Sequence, residues 1–444
     1  MIPILRLDNP SQRQRVEALL KALRLDPAEV ALSRGKLGEY MASVQAIVAD
    51  VAQRGDEAIV EASRRFDDPD YTAQSIRVAP EAMRDAAARI PSEQRSAIRH
   101  AIAQVREYQK HMLPADPRPL HRGSVELGMR FTPLDSAGLY FPGGKAAYPS
   151  SLIMLAVPAQ VAGVGRIIAC TTPSRYGRSD LVLAAAHELG IAELYQLNGI
   201  AAIAAMAFGT ETIAAVDKIV GPGHTVTQLA KRLVAGVVGI DGYLGPSEIV
   251  VLADQSAEPA FVAADLIAQA EHDPGSCFLL TDSPKLAEAV AREIAVQLTA
   301  RRRQEAIEPA LREHSAIIVG ASMEELIELA NRFAAEHVSL QVADEEAVLS
   351  RLKHAGAVFI GPYSPVAAGD YVAGPSHCLP TNTTARFASG ISVWEFLKRS
   401  SVVRYSAEGL KRDAAAIEAL AEAEHLDGHA ASVRIRHSEE KDGS

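Results

Sequence analysis

The chain has 444 residues and a mass of 47.3 kDa, which is enough for two or more domains with sizeable cores. Its formal net charge of -10 argues against nucleic acid or an anionic membrane surface as the main partner, so we expect a small-molecule substrate. The sequence shows neither a secretory signal nor an apolar run long enough to span a membrane, and we therefore expect a soluble cytoplasmic protein.

The N-terminal part of the chain is predicted to be helical. The amphipathic spacing of its apolar residues predicts helices at residues 12–25, 40–65, 80–90 and 93–112. None of these segments carries a recognisable chemical motif, so the candidate site residues all come from the remainder of the chain.

From Val125 onward, short apolar runs alternate with helical segments. Strands are predicted at residues 125–133, 138–141, 166–171, 193–197 and 218–220. Helices are predicted at residues 150–162, 179–189, 200–208 and 224–234. Alternation of this kind is typical of a parallel sheet with crossover helices.

A second alternating block follows the first. Its predicted strands are residues 249–253, 277–281, 316–319 and 357–360. Its predicted helices are residues 259–271, 284–299, 323–335 and 345–354. The sequence therefore predicts two α/β units.

The pattern changes again after Gly390. We predict a helix at residues 392–399, a short strand at 402–405 and a helix at 407–423, and we expect the polar end at 438–444 to fray. Because this tail is amphipathic and follows complete α/β units, we expect it to pack on a partner subunit.

The helix predicted at residues 259–271 ends with two possible metal donors. Gln269 and His272 are three residues apart and share one helical face, and Pro274 and Gly275 stop the helix directly after them. A histidine nitrogen and a side-chain carbonyl oxygen suit a divalent metal such as zinc. Taken alone, such a pair is more often a solvated helix end.

Glu336 and His337 are adjacent where a predicted helix passes into a strand. In such a pair the carboxylate can position or deprotonate water while the imidazole moves substrate protons.

Asp370 and His377 follow the strand at residues 357–360, and the carboxyl end of a strand is where α/β proteins place ligands. Asp370 could bind a metal and His377 a substrate. Equally, Glu-His is a common surface dipeptide, and Asp370 could cap a turn.

Two glycine loops, at residues 140–145 and 221–224, each follow a strand and precede a helix. Their backbone N–H groups could approach an anion at the helix start, although two tight turns would give the same pattern.

Ser247, between the two α/β units, could contact a ligand or lie in a solvated turn. Beyond the tail helix lie Glu424, His425 and His429. Either histidine could complete a metal site, but all three residues also fit surface positions.

Together these segments resemble the histidinol dehydrogenase family, whose members catalyse the last two steps of histidine biosynthesis. The resemblance is collinear over roughly residues 125–436. The matching motifs are Gly-Leu-Tyr-Phe-Pro-Gly-Gly at 138–144, Gly-Pro-Gly at 221–223, Ala-Lys-Arg at 230–232, Asp241, Gly-Pro-Ser-Glu at 245–248, Gln-Ala-Glu-His at 269–272, Ala-Glu-His at 335–337, Gly-Asp-Tyr at 369–371, His-Cys-Leu-Pro-Thr at 377–381 and the segment 424–429. Chance recurrence of so many ordered motifs is very improbable, weak as each is alone.

The resemblance implies a homodimer with one zinc ion per active site. In it, Gln269, His272 and Asp370 of one subunit and His429 of the other would bind zinc, Glu336 would activate water, and His337 would act as acid and base. The positions that correspond to substrate contacts are Ser247, Gln269, His272, His337, Asp370, His377, Glu424 and His429. The implied reaction converts L-histidinol into L-histidinal and then into L-histidine, with two NAD and one water consumed and the aldehyde kept bound.

Two departures from the family pattern concern the cofactor. Where the family has Gly-Gly-Ala-Gln, this chain has Asn-Gly-Ile-Ala at residues 198–201, so Ala201 replaces a glutamine associated with NAD binding. His224 replaces an asparagine, whereas Tyr140, the third matching position, is retained. The predicted cofactor-binding positions are therefore Tyr140, Ala201 and His224.

The predicted fold class is α/β, with two parallel-sheet, incomplete Rossmann-like domains, a helical N-terminal part and a C-terminal tail exchanged in a dimer. The predicted boundaries are residues 1–25 for the N-terminal segment, 26–137 with 248–390 for the domain of the zinc and catalytic residues, 138–247 for the cofactor domain and 391–444 for the tail.

Three other functions remain open from the sequence. A dehydrogenase of the same fold could oxidise another small polar alcohol, which the altered cofactor positions would favour. A zinc hydrolase could use Glu336 with a metal-bound water, and it would turn over without NAD. A binding protein would bind its ligand without turnover, and the Glu336–His337 pair would then be coincidental.

Overall fold

The computed structural model describes residues 2–24, 35–144, 146–272 and 275–437. Lys145 and Pro274, which carried sequence predictions, lie outside these residues, as do residue 25 and the tail at 438–444. The chain forms two compact units. The first is Met1–Met112 with Leu134–Phe396, and the second is Leu113–Pro133 with Leu397–Ser444.

Helices and strands alternate through most of the first unit, so the predicted α/β fold is confirmed. The strands are β1 (Ile4–Arg6), β2 (Leu120–Arg122), β3 (Val125–Pro133), β4 (Ser136–Tyr140), β5 (Arg166–Thr171), β6 (Glu193–Gln196), β7 (Lys218–Val220), β8 (Gly239–Ile240), β9 (Ser247–Ala253), β10 (Gly275–Thr281), β11 (Ala316–Val319), β12 (His337–Gln341), β13 (Ala357–Ile360) and β14 (Leu397–Arg404). The helices are α1 (Pro10–Leu23), α2 (Gly35–Arg54), α3 (Asp56–Phe66), α4 (Pro80–Arg89), α5 (Ser92–His111), α6 (Pro149–Ala162), α7 (Asp180–Glu188), α8 (Gly199–Phe208), α9 (Thr225–Val234), α10 (Pro259–Ala270), α11 (Pro284–Leu298), α12 (Gln304–Glu313), α13 (Met323–Phe333), α14 (Glu345–Leu349), α15 (Val366–Tyr371), α16 (Ala407–Ala423) and α17 (Asp427–His437). No helix in the described segments has both the length and the apolar character that a membrane crossing needs.

The first unit contains two parallel sheets, which we call sheet A and sheet B. Sheet A has the strand order β1-β11-β10-β9-β12-β13, and sheet B has the order β6-β5-β4-β7-β8. If the strands are counted in chain order, starting with β9 in sheet A and with β4 in sheet B, both sheets have the strand order 3-2-1-4-5. Sheet A has one more strand, β1, at its edge. The shared order is the beginning of the doubly wound order of dinucleotide-binding folds, so the prediction of two incomplete Rossmann-like sheets is confirmed.

The strands of sheet A are continuous apolar runs, as expected for a parallel sheet that helices cover on both faces. Ile249 and Val251 of β9 pack against helices α10 and α11, while Val250 and Leu252 face helices α1 and α13. Burial of each such side chain contributes about 1.5–3 kcal/mol. Helices α2, α3, α8 and α9 cover one face of sheet B. Polar side chains are therefore concentrated at the ends of the strands, where the site must form.

The helix predicted at residues 40–65 is two helices, α2 and α3. They meet at Gly55, whose φ of +55° is a left-handed conformation that a helix interior does not accommodate. The helix predicted at 345–354 is also too long, because α14 ends at Leu349. In both places the apolar spacing continues past the point where the backbone leaves the helix.

The helix predicted at residues 392–399 is wrong. A 3₁₀ turn at Val393–Phe396 leads directly into β14, which also contains most of the strand predicted at 402–405. β14 pairs antiparallel with β3 along its whole length, and β3 pairs antiparallel with β2. Residues 125–133, predicted as part of a parallel block, therefore form the centre of an antiparallel sheet, and residues 113–133 belong to the second unit rather than to an α/β domain.

The second unit consists of this antiparallel sheet with helices α16 and α17. The two helices are joined by ion pairs from Arg434 to Glu418, at 2.8 Å, and from Arg434 to Glu422. Several apolar side chains of the unit are exposed, among them Leu420 and Ile435 at 66% and 75%. Exchange of this unit between subunits stays a prediction.

Candidate active site

The acid and the histidine predicted to be catalytic lie at the amino edge of sheet A. Strand β12 pairs with β9, and His337 stands beside Ile249 in the register. Glu336 and His337 therefore meet Ser247 and Glu248, which begin β9. Glu336 and His337 are only 6% and 3% exposed, so this is a buried polar cluster and not a surface dipeptide.

Hydrogen bonds hold the Glu336 carboxylate from two sides. The Ser247 hydroxyl donates to Glu336 Oε2, and the backbone N–H of Glu248 donates to the same oxygen at 3.2 Å. Gln269 Nε2 in turn donates to Ser247 Oγ at 2.5 Å. This bond uses the amide nitrogen of Gln269 and not its oxygen, which is the atom that a metal ion would take.

Glu248, which the sequence analysis did not single out, lies behind Glu336. Its carboxylate accepts the backbone N–H of Glu336 at 3.2 Å and that of Asn382 at 3.0 Å. Burial raises the pKa of Glu248 to about 8, and burial followed by the nearby Glu248 charge raises the pKa of Glu336 well above its usual value. Because two adjacent buried carboxylates resist joint ionisation, protonation of one of them favours ionisation of the other.

His337 is poised between two carboxylates. Its Nδ1 lies 3.5 Å from Glu336 Oε2 and its Nε2 lies 3.9 Å from Asp370 Oδ1. Neither ring nitrogen has a hydrogen-bond partner among the described residues, although both are buried. Burial, followed by His272 and His377, lowers the pKa of His337 to about 3. A neutral imidazole can accept a proton from a bound ligand. Buried polar atoms normally have a hydrogen-bond partner, so the unpartnered nitrogens of His337 indicate that a ligand binds beside them.

Asp370 lies in this cluster at the amino edge of sheet A, whereas the sequence predicted it at the carboxyl end of a strand. It is near the end of α15, which runs back from the carboxyl end of β13 and brings Asp370 to His337 at the amino edge. Its position therefore does not follow from the usual ligand site at the carboxyl ends of strands. A cavity of about 410 Å³ opens here, lined in part by His337, Phe359, Asp370 and His377.

His377 is held by Asp370 and by Ser151. His377 Nδ1 lies 2.8 Å from the backbone oxygen of Asp370, which can only accept, so Nδ1 carries the proton. Nε2 then accepts from the Ser151 hydroxyl at 3.0 Å. Ser151, in the first turn of α6, was missed by the sequence analysis. Its one sequence signal was its place at the start of the helix that follows the first glycine loop.

His272 lies two residues beyond the end of α10 and is exposed. Burial by surrounding atoms lowers the pKa of His272 and Asp370 opposes this shift, while burial raises the pKa of Asp370 to about 6. Hydrogen bonds and close approaches join Ser247, Gln269, Glu336, His337, Asp370 and His377 within the first unit, and His272 lies within electrostatic range of Asp370 and His337.

The three predicted cofactor positions lie around sheet B. Tyr140 ends β4 and is buried, with its hydroxyl so near Gly199 that a Cβ there would lie 2.6 Å from it. Ala201, in the first turn of α8, is fully buried, so it can influence a ligand only through packing. His224 is exposed at the start of α9. The cofactor roles of these residues stay predictions.

Glu424 and His429 belong to the second unit. Glu424 follows α16 and His429 lies in the first turn of α17, and both are exposed. His425 between them has a φ of +62°. Their predicted contributions to a substrate and zinc site, and those of a partner subunit, stay predictions.

The fold and the site together define a class of protein. Two sheets of doubly wound order, a buried carboxylate and histidine cluster beside a cavity, and glycine loops before helices are the features of an α/β enzyme with acid–base chemistry.

Comparison with known proteins narrows this class. The family model described as histidinol dehydrogenase matches residues 32–437. The histidinol dehydrogenase of Rhodopseudomonas palustris is 44% identical over 436 residues, covering 97% of this chain and 99% of that protein. The one from Bacillus subtilis is 46% identical over 400 residues, with 90% and 93% covered. A crystal structure of histidinol dehydrogenase from Elizabethkingia anophelis has a TM-score of 0.89 at 32% identity and covers 98% of each chain. The chain belongs to the histidinol dehydrogenase family, a family of oxidoreductases, and the resemblance found in the sequence is confirmed.

Proposed function

We propose that this protein is a zinc-dependent, NAD-linked dehydrogenase that oxidises L-histidinol to L-histidine through bound L-histidinal. Membership of the histidinol dehydrogenase family supports this proposal. The observation that carries it is the buried cluster in which Glu336 and His337 face each other at 3.5 Å beside a cavity. A surface dipeptide would not hold a neutral histidine next to a carboxylate at the wall of a cavity.

Zinc would be held by Gln269, His272 and Asp370 of one chain together with His429 of a second copy. This donor set combines an imidazole, a carboxylate and an amide oxygen from one chain, and the hydrogen bond from Gln269 to Ser247 uses Nε2 and leaves the amide oxygen of Gln269 for a metal. A sphere completed by an amide oxygen and by a partner's imidazole would still supply four donors. The proposal therefore includes a homodimer.

Each bound group has a limited part in the reaction. When bound, zinc would hold the imidazole and amino nitrogens of the substrate, and NAD would accept one hydride in each of two oxidations. The chain supplies the proton transfers. His337 takes the hydroxyl proton of the alcohol in the first oxidation, and Glu336 orients and deprotonates the water that adds to the aldehyde before the second. One alcohol, one water and two NAD then give one carboxylate, two NADH and three protons.

The burial of the cluster suits a reaction with a reactive intermediate. Glu336 and His337 are almost inaccessible to bulk water, and Phe359 packs on the His337 ring with the ring centres 5.9 Å apart. A dry site strengthens the interactions of its charged groups and limits loss of the aldehyde.

The test is a count of NADH formed per L-histidinol consumed by purified, zinc-loaded protein. Two NADH per substrate, abolished by a chelator and restored by zinc, is the expected result. Turnover without NAD would replace the proposal with a zinc hydrolase. Absence of NAD reduction by zinc-loaded protein would contradict histidinol as the substrate and favour another polar alcohol.

A further inference from the structure

A buried ion pair lies at the carboxyl edge of sheet B, outside the cluster described above. Lys231 on α9 pairs with Asp241, which follows β8, and the side chain of each is only 1% exposed. The reaction assigns neither residue a chemical step. Charges this deeply buried are costly unless their partners are well placed, so the contacts they make are informative.

The pair binds both polar backbone atoms of Gly221. The N–H of Gly221 donates to Asp241 Oδ2 at 2.7 Å, and Lys231 Nζ donates to the carbonyl oxygen of Gly221 at 3.0 Å. Gly221 begins the second glycine loop, residues 221–224. Its orientation is therefore set by two charged side chains and not by sheet pairing.

Gly221 is pressed against the end of β4. It has a φ of +128°, and a Cβ on it would lie 1.8 Å from the backbone oxygen of Tyr140. A Cβ on Gly223 would lie 3.1 Å from the Tyr140 ring. The loop thus fits closely over Tyr140 and leads into His224, so the pair controls how two of the three candidate cofactor residues are presented. β4 and β7 are the strands between which the order of sheet B reverses, the usual place for a dinucleotide.

The same lysine also contacts the segment that leads to sheet A. Lys231 Nζ lies 3.4 Å from the carbonyl oxygen of Gly242. Three residues further on, the N–H of Gly245 donates to Thr381 Oγ1 at 2.7 Å, and the segment then enters the site at Ser247. Lys231 therefore touches both the loop over Tyr140 and the start of this segment, whereas Thr381 holds the part of the segment that lies next to the catalytic cluster.

Stability alone is a poor explanation for such a pair. A buried ion pair is often replaced by apolar or neutral residues of similar volume without loss of stability. What an apolar replacement cannot reproduce is the simultaneous hold on the N–H and the carbonyl oxygen of one glycine.

We propose that Lys231 and Asp241 are positioning residues for the nicotinamide cofactor, because they hold residues 221–224 in the conformation that receives it. The inference rests on the proposed NAD-linked function and adds two residues to it. It requires that loss of the pair weakens NAD binding while zinc content and the affinity for L-histidinol remain unchanged.

The test is direct NAD binding by isothermal titration calorimetry on zinc-loaded protein, with zinc content and both KM values measured in parallel. In the variant Lys231→Met/Asp241→Asn, both charges are removed together, so neither is left buried alone. We expect the Kd for NAD to rise about ten- to hundredfold, by analogy with the loss caused by removing residues that support metal ligands. The KM for L-histidinol should stay within experimental error.

A matched control is the pair Arg166–Glu193, at 2.8 Å, which joins the amino ends of β5 and β6 in the same sheet. The variant Arg166→Met/Glu193→Gln removes an ion pair from sheet B at the opposite edge. It should lower the unfolding temperature without changing the Kd for NAD. An equal loss of NAD affinity in both double variants would overturn the inference, because general weakening of the sheet would then be the cause.

Lys231→Gln/Asp241→Asn is a milder second variant, in case the first double variant does not fold, because it also leaves no unpaired buried charge and keeps polar side chains beside Gly221. It should raise the Kd for NAD less, with the same difference between NAD and L-histidinol. An unchanged Kd in every folded variant would overturn the inference while leaving the proposed function intact. Failure of the unaltered protein to bind NAD would instead overturn the proposed function.

Discussion

Sheets A and B share one strand order, yet their candidate site residues gather at opposite edges. In sheet A, Ser247 begins β9 and His337 begins β12, so the acid–base cluster lies at the amino edge. In sheet B, Tyr140 ends β4 and Gly221 follows β7, so the glycine loops lie at the carboxyl edge. Ligands of open parallel sheets usually bind at the carboxyl edge, which makes sheet A the exception.

The side chains at the carboxyl edge of sheet A explain why this edge does not suit a nucleotide. A cavity of about 290 Å³ exists there, but its polar lining is mostly acidic, with Asp254, Asp282, Glu324 and Asp344. Asp254 accepts the backbone N–H of Ala343 at 2.9 Å, and Asp344 accepts that of Ala347 at 3.1 Å. Asp254 and Asp344 therefore cap local backbone, Arg351 in the same lining is paired with Glu324, and the excess of carboxylates would repel the phosphates of a nucleotide. Strand order creates a crevice, and the side chains at its edge decide which chemistry it can support.

Among variants that should impair the amino edge of sheet A without affecting the carboxyl edge of sheet B, we expect His272→Ala to have the largest effect. Loss of this imidazole should remove zinc and turnover together, because the remaining donors leave the metal sphere incomplete. NAD binding at sheet B should persist. Metal analysis, turnover and calorimetry would check this, with His314→Ala, an exposed histidine after α12, as control. Retained zinc with full activity would remove the metal assignment.

Glu336→Gln should have the next largest effect. The amide keeps the shape of the side chain and can still accept from Ser247, but it cannot deprotonate water, so kcat should fall by about 10²- to 10⁴-fold. Zinc content and the Kd for NAD should not change. Steady-state kinetics would test this, and Glu324→Gln, at the acidic carboxyl edge, should leave kcat unaffected. A kcat within a factor of two or so of the unaltered enzyme would exclude Glu336 as the base.

Ser151→Ala should have a moderate effect, because it tests how α6, on the sheet B side, supports the sheet A cluster. Removing the hydroxyl leaves His377 Nε2 without its donor, so the histidine and the Asp370 backbone become less well held. A net hydrogen-bond contribution of about 1 kcal/mol corresponds to a rise of about fivefold in the KM for L-histidinol. Ser179→Ala, which removes the cap of α7, should lower stability without this rise. A KM equal to that of the unaltered protein would show that Ser151 does not support the site.

Asp254→Asn should have the smallest effect and should act on stability alone. Burial opposes ionisation of Asp254, but the Ala343 amide and Ser256 outweigh it and hold the pKa of the carboxyl below its usual value. A lowered pKa in the folded state gives stability that is present above the unfolded pKa and is lost as pH falls through the folded pKa. We expect a cost of about 1 kcal/mol at pH 7, limited by partial exposure, with kcat unchanged.

Urea unfolding of Asp254→Asn at neutral and acidic pH would measure this. The difference from the unaltered protein should shrink as pH falls through the folded pKa of Asp254. A change in kcat or in either KM would mean that the carboxyl edge of sheet A takes part in the reaction.

Local patterns in the sequence determined much of the secondary structure. The bounds of β3, β5, β7, β11, β13 and α16 agree with the predicted ranges. Burial repeats along a chain with a period set by the local conformation, so apolar spacing identifies strands and helices without knowledge of their partners. The same local information, read as ordered motifs, was sufficient to find the family and to select Glu336, His337 and Asp370 as candidates.

Only the tertiary structure decided which residues meet. β3 pairs with β14 although more than 260 residues separate them, and the resulting sheet is antiparallel. Asp370 reaches the amino edge because α15 turns back, Ser151 meets His377 across 226 residues, and Lys231 and Asp241 converge on Gly221. Contacts between distant segments depend on how whole elements pack, and periodicity within one segment carries no record of that packing.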